Sequence, residues 1–264
     1  MRLNILIIGK YSFIGSNLYK FFKKKKIKIK KTDYEKFLRF KDSHLSKYNF
    51  VINCSTNNTY RYKKYNSKRD FDLAVAKKLL NQKAKLIIFS TRDVYGPGFN
   101  LKESSKKRPI NHNGKNRIAT EKKILKILKN VIIFRVSNVA GRRFKKSKRK
   151  VTNLFFDSIE SNLKKNIIMI PSKDCYKDFI LVDDFVKIVY LSILKNISGI
   201  FNLSSNSKTY LKDLANWISN KTGAKIIYSR AHSDSFTLNN SKLCNELKIP
   251  MKLLNLRKEI LRII

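Results

Sequence analysis

The sequence predicts an α/β fold: a doubly wound parallel sheet with a small C-terminal α/β lobe. Three observations carry that expectation. Apolar runs of strand length alternate with helix-length segments through residues 1–141. The links between them are short, so right-handed crossovers should join strands that lie parallel. Past Gly141 the rhythm breaks into a basic loop and shorter mixed elements. This places a second domain at 142–264, with the last sheet strands free to return from 178–203.

The chain opens on Leu3-Asn4-Ile5-Leu6-Ile7-Ile8, a run too short for a helix, and breaks at Gly9. An amphipathic stretch over 16–23 follows, so the unit reads strand, tight turn, helix. The turn has the spacing Gly9-x-x-Ser12-x-x-Gly15. Gly9 lets the backbone leave the strand sharply, and Gly15 lets the helix start lie close to the sheet and to a ligand. Unpaired N–H groups and the helix dipole act together there, which suits a pyrophosphate. Residues 26–31 alternate at period two, as a strand with one solvated face does. Asp33 follows, roughly 20 residues beyond the turn, where a dinucleotide fold places its ribose-binding carboxylate. From position alone, a helix-capping Asp fits as well. A ribose-binding carboxylate repels a 2′-phosphate and so favours NAD over NADP, with the surrounding lysines acting the other way. A buried strand at 50–55, a helix at 71–81, a strand at 85–91, a helix at 118–129 and a strand at 131–136 continue the alternation. In the second domain the pattern gives helices near 153–163, 211–218 and 253–263, and strands at 167–170 and 225–228.

Lys and Arg total 59 against 18 Asp and Glu, a net charge of +41. Basic clusters at 23–26 and 142–150 invite a nucleic-acid reading. Yet lysine is spread along the whole chain beside abundant Asn, Ile, Phe and Tyr, all residues of A/T-rich codons. No recognition module accompanies the charge. Base composition therefore explains it better than a polyanion partner, and in either case it favours anionic small molecules. The three cysteines stand far apart with no C-x-x-C pair, and there are three histidines. That argues against a disulfide framework or a metal site and for a reducing cytoplasm. The longest apolar runs have strand length, so neither a signal peptide nor a membrane span is expected.

Five segments, in order, carry a family resemblance. They are the opening turn, Ser90-Thr91-Arg92-Asp93-Val94-Tyr95-Gly96, the stretch from Pro109 through Asn113, Arg117 and Glu121, Arg135-Val136-Ser137-Asn138-Val139-Ala140-Gly141, and Lys177-Asp178-Phe179-Ile180-Leu181-Val182-Asp183-Asp184. Ile200-Phe201-Asn202-Leu203 adds the strand into the last lobe. Together they resemble the extended short-chain dehydrogenases, the NAD-dependent epimerases and dehydratases of sugar nucleotides. The segment after Pro109 looks most like that of reductases acting on 4-keto deoxysugar nucleotides. The resemblance implies a Rossmann-like domain with a substrate lobe, NAD as cofactor with NADP left open, and a nucleotide-sugar substrate. It assigns the cofactor to Gly9, Ser12, Phe13, Ile14, Gly15, Asp33, Ser55 and Arg117, and the substrate diphosphate to Asn138 and Lys177. A homodimer is also left open.

In that family a Ser or Thr and a Tyr hydrogen-bond the reacting sugar oxygen. A Lys four residues after the Tyr lowers its pKa and holds the nicotinamide ribose, while hydride moves to or from the nicotinamide. Carried over by position, these are Thr91, Asn113 and Arg117. The hydroxyl is intact and the other two depart. An amide does not titrate near neutrality, and Arg117 keeps its charge but not a movable proton. Three readings stay open: a catalytically weak or inactive dinucleotide-binding partner or sensor, a substitute acid such as His112, or another tyrosine such as Tyr95 or Tyr176. Asp183 and Asp184 read as helix-start carboxylates.

Overall fold

The computed structural model describes residues 3–141, 159, 161–229, 234–248, 253 and 255–263. The basic run 142–150 and most of the helix expected near 153–163 lie outside these residues. The chain divides into two compact units. One comprises the chain up to Gly96 with Lys106–Val136 and Val186–Phe201; the other comprises Pro97–Ser105 and the described parts of Ser137–Phe185 and Asn202–Ile264.

The first unit alternates strands and helices: β1 (Asn4–Ile8), α1 (Phe13–Lys24), β2 (Lys28–Thr32), the short α2 (Tyr34–Leu38) and α3 (Asp42–Leu45), then β3 (Phe50–Asn53) and α4 (Phe71–Lys78). After β4 (Lys85–Thr91), the strand β5 (Gly98–Leu101) belongs to the other unit. The alternation resumes with α5 (His112–Ile127) and β6 (Val131–Val136). The six-stranded sheet has the order β11-β6-β4-β3-β1-β2, where β11 is Gly199–Leu203. β2 pairs parallel with β1, β1 with β3, β3 with β4, and β4 with β6. Every residue of β3 and β6 is buried, which is why their stretches Phe50–Ile52 and Val131–Phe134 read as unbroken apolar runs. β2 is the sheet edge, and its exposed Lys28, Lys30 and Lys31 discourage pairing with another chain. Leu6, Ile8, Val51, Leu86, Ile88 and Ile133 meet Leu73 and Ala76 of α4 in one core.

Several helix ends differ from their sequence expectation, among them α1, which opens at Phe13, and α4, which ends at Lys78. α5 begins at His112, not near 118, because Asn111 Oδ1 accepts the Gly114 N–H at 2.8 Å and so caps it. Asn113 and Gly114 lie in the first turn, where a glycine costs the helix little. The C-terminal helix starts at Leu256, not 253.

The second unit is built from paired short strands. β5 pairs with β14 (Phe236–Leu238), β7 (Asn138–Ala140) with β10 (Phe179–Leu181), β8 (Ile167–Ile170) with β13 (Lys225–Tyr228), and β9 (Tyr176–Lys177) with β12 (Thr209–Tyr210). The first three pairs are parallel and the last antiparallel. α6 (Val182–Leu194) precedes β11, and α7 (Leu211–Thr222) stops at Gly223, whose φ of +73° is the left-handed conformation that ends helices. α8 (Ser241–Leu247) and α9 (Leu256–Ile263) complete the chain. Leu211, Leu214 and Ile218 of α7 pack on Ile168, Ile170 and Phe179.

Asp178 ties this unit together. Its carboxylate accepts from the Ser205 N–H at 3.0 Å, the Ser205 hydroxyl at 2.8 Å and the Leu238 N–H at 3.1 Å. Burial pushes its pKa up to about 6, against the pull of those donors. A carboxyl raised on folding binds more protons folded than unfolded between its two pKa values. Its stabilising effect is therefore full below the unfolded pKa and is lost as pH rises through about 6. We expect up to about 3 kcal/mol to disappear between pH 4 and 7. Urea unfolding across that range should show the loss in the wild type and not in Asp178→Asn; equal pH slopes would refute it.

Candidate active site

The β1–α1 turn is packed tightly. Gly9 has φ +92°, and a Cβ there would lie 2.8 Å from the Cys54 carbonyl carbon and 2.9 Å from Ser55 N. A Cβ on Gly15 would meet Gly9 O and Ser12 Oγ, each at 2.7 Å. Both glycines thus serve the closure of the turn on itself and on the end of β3. Ser12 caps α1 by accepting the Gly15 N–H at 2.9 Å. Phe13 and Ile14 open the helix, where N–H groups have no intrahelical carbonyl to reach, and no acidic residue stands in that turn. The Phe13 and Ile14 N–H groups are a donor set of the kind that suits a pyrophosphate. Beneath the turn, burial pushes the Cys54 thiol pKa up, which keeps the thiol uncharged.

Asp33 follows β2 beside that turn. The Gly9 and Lys10 N–H groups both donate to Thr32 O, at 2.9 and 3.0 Å. Asp33 Oδ1 accepts the Lys36 N–H at 2.9 Å and caps α2, while Oδ2 accepts from Lys10 Nζ at 2.9 Å. The helix-capping reading of Asp33 holds, and the residue also borders the turn.

Thr91 ends β4, and its Oγ1 accepts the Asp93 N–H at 3.3 Å. Asn113 Nδ2 donates to Asp93 Oδ2 at 2.8 Å, and Arg92 Nε donates to Oδ1 at 2.8 Å. Gly114 permits this arrangement, since a Cβ there would fall 2.2 Å from the Asp93 carbonyl oxygen. Asn113 Oδ1 is buried with no protein partner. His112 is exposed at the helix start.

Arg117 pairs with Asp72 of α4; their side chains are 10% and 7% exposed. Asp72 also accepts from Asn53 Nδ2 at 2.6 Å, and Asn53 Oδ1 takes the Ser55 N–H at 3.1 Å and hydroxyl at 2.7 Å. Burial raises the Asp72 carboxyl pKa, with the Arg117 charge pulling it back. The Tyr60 ring lies 5.0 Å from the Arg117 guanidinium, and Tyr60, Thr120 and Asp70 form a hydroxyl–carboxylate chain next to it. The charge expected at a ribose is thus spent on a carboxylate of the protein itself.

The motif residues that are retained in this unit form a second buried network. Arg135 donates to both Glu121 oxygens, at 2.6 to 3.3 Å, and to Tyr95 OH at 2.9 Å; the Ser90 hydroxyl donates to Glu121 at 2.6 Å. Tyr95 is buried in this network.

In the second unit the Asn138 N–H donates to Asp178 O at 3.1 Å, leaving its half-buried side chain for other contacts. Lys177 Nζ donates to the Asp234 carbonyl and lies 5.6 Å from the Phe236 ring centroid. The Tyr176 ring stands edge-on to Tyr210, with Lys208 Nζ 4.4 Å from its centroid.

Three partners escaped sequence reasoning: Lys10, Asp72 and Asp93. Asp72 reads as an ordinary helix-start carboxylate, and its partner lies 45 residues onward. Asp93 occupies a variable slot of its motif. Among the described residues, no His, Cys, Asp or Glu cluster could hold a metal ion, and no helix is long and apolar enough to cross a membrane.

The family model described as the NAD dependent epimerase/dehydratase family matches residues 5–204, so the chain belongs to that family. Solved structures share the fold. MoeE5 in complex with UDP-glucuronic acid and NAD has a TM-score of 0.80 at 15% identity, with 97% of this chain and 96% of that one covered. The UDP-glucose 4-epimerase of Thermotoga maritima gives 0.80 at 18%, covering 99% and 97%. A dTDP-4-dehydrorhamnose reductase from Clostridium acetobutylicum gives 0.77 at 16%, covering 99% and 98%. No curated protein matches the sequence.

Proposed function

We propose that the chain is a cytoplasmic NAD-dependent enzyme acting on a nucleotide-activated sugar, by epimerisation, dehydration or reduction. The observation that carries this is the donor set at the β1–α1 turn, in a chain of the epimerase/dehydratase family. The turn over Gly9, Ser12, Phe13, Ile14 and Gly15 would hold the pyrophosphate, with Asp33 toward the adenosine ribose and Ser55 at the end of β3. When bound, NAD supplies a hydride acceptor at its nicotinamide ring. Thr91 would hydrogen-bond the reacting sugar oxygen. The buried, unpartnered Asn113 Oδ1 can accept from a hydroxyl but cannot donate a proton. Asn138 and Lys177 would meet the substrate diphosphate.

The test is calorimetry with NAD, followed by incubation with a panel of nucleotide sugars. New product, or absorbance in the reduced-nicotinamide band, is the expected result. Absence of binding to both NAD and NADP would remove the basis of the reading. Binding of NAD with no product from any nucleotide sugar would leave a non-catalytic dinucleotide protein.

A further inference from the structure

We propose that Lys10, by pairing with Asp33, opens the adenosine-ribose end of the site to a 2′-phosphate, so that the chain binds NADP about as tightly as NAD. This rests on the dinucleotide reading above. A carboxylate selects NAD in two ways: its lone pairs accept the ribose hydroxyls, and its charge repels a 2′-phosphate. The first is weakened and the second offset here. Asp33 Oδ1 already accepts the Lys36 N–H at 2.9 Å, and Oδ2 accepts from Lys10 Nζ at 2.9 Å, which leaves each oxygen less acceptor capacity for a ribose hydroxyl. The pair carries no net charge where an unpaired carboxylate would carry −1. Each partner also holds the other ionised: Asp33 raises the Lys10 pKa, and Lys10 lowers that of Asp33.

The pairing is built into the backbone. The Gly9 and Lys10 N–H groups share the Thr32 carbonyl, which fixes Lys10 beside the residue immediately before Asp33. The Lys10 ammonium also lies 4.9 Å from the Tyr11 ring centroid, which limits its range. With side chains 29% and 43% exposed, the pair is reachable by a ligand. An ammonium has three donors, and Asp33 takes one of them. The others can meet phosphate oxygens at the 2′ position, where the doubly ionisable group would otherwise face a bare carboxylate.

The experiment measures NAD and NADP affinities of the full chain by calorimetry at one fixed salt concentration. Wild type should bind the two within about threefold of each other. Lys10→Met should weaken NADP relative to NAD by about tenfold or more, since a charge-assisted contact is lost and the Asp33 charge is restored. Lys10→Gln should do the same, and unchanged far-UV circular dichroism will show that both variants keep the fold. Asp33→Asn should move the ratio the opposite way. Wild-type NAD binding about thirtyfold or more tighter than NADP would overturn the inference and leave the dinucleotide reading standing. So would a ratio that Lys10→Met leaves unchanged. Failure to bind either dinucleotide would overturn both.

Discussion

Glu121→Leu is expected to destabilise the protein by about 3–5 kcal/mol, the usual cost of removing one partner of a buried ion pair. The side chains of Arg135 and Glu121 are 1% and 3% exposed, and Glu121 accepts three hydrogen bonds from Arg135 and one from Ser90. Removing the carboxylate leaves a guanidinium in a site with little water to replace it. Its attraction to the Tyr95 hydroxyl, at 2.9 Å, is a weaker substitute. The double variant Glu121→Leu with Arg135→Met should recover most of the loss, because the penalty comes from the stranded charge. Urea midpoints of the wild type and these variants provide the check. A single variant within about 1 kcal/mol of wild type, the range of exposed pairs, would show that the network does not support the fold.

The largest kinetic effect is expected at Asn113. Loss of a positioned general acid costs about 10²- to 10⁴-fold, and neither Asn113 nor Arg117 can supply one. A chain carrying Asn113→Tyr and Arg117→Lys should gain nucleotide-sugar turnover toward that factor. Thr91→Val in the same background should lower it again. Should the native protein already turn over at a rate usual for its class, His112→Ala becomes the decisive variant. A fast native rate that survives His112→Ala would refute both the assignment of Asn113 to the tyrosine position and His112 as substitute acid.

How much of this was legible follows from where each signal resides. β3, β4 and β6 announce themselves because a strand buried in the middle of a parallel sheet carries a continuous apolar run, here Phe50–Ile52, Leu86–Phe89 and Val131–Phe134. The strands β9 and β12 are two residues long and cannot express a period. β5 is a strand because β14 lies beside it, and its register partner for Gly98 is Phe236, far along the chain. The start of α5 was not legible, because its cap, the Gly114 N–H donating to Asn111 Oδ1, exists only once the turn is folded. The tight glycine turn and the place of Thr91 at a strand end were legible because both follow from local sequence, a glycine after one apolar run and a hydroxyl at the end of another. The partners of Asp33, Asn113 and Arg117 were not, because each pair joins separate elements. Spacing shows which residues depart from a motif; only the fold shows what the departed residue now holds.

The Arg117–Asp72 pair also has a consequence for anyone altering the chain. A lysine at 117 is shorter and offers a different donor geometry, so Arg117→Lys alone leaves the Asp72 carboxylate less well matched in a buried setting. Removing the Asp72 carboxylate alone strands the guanidinium instead. The two positions are therefore coupled, and the effect of a change at one depends on the residue at the other.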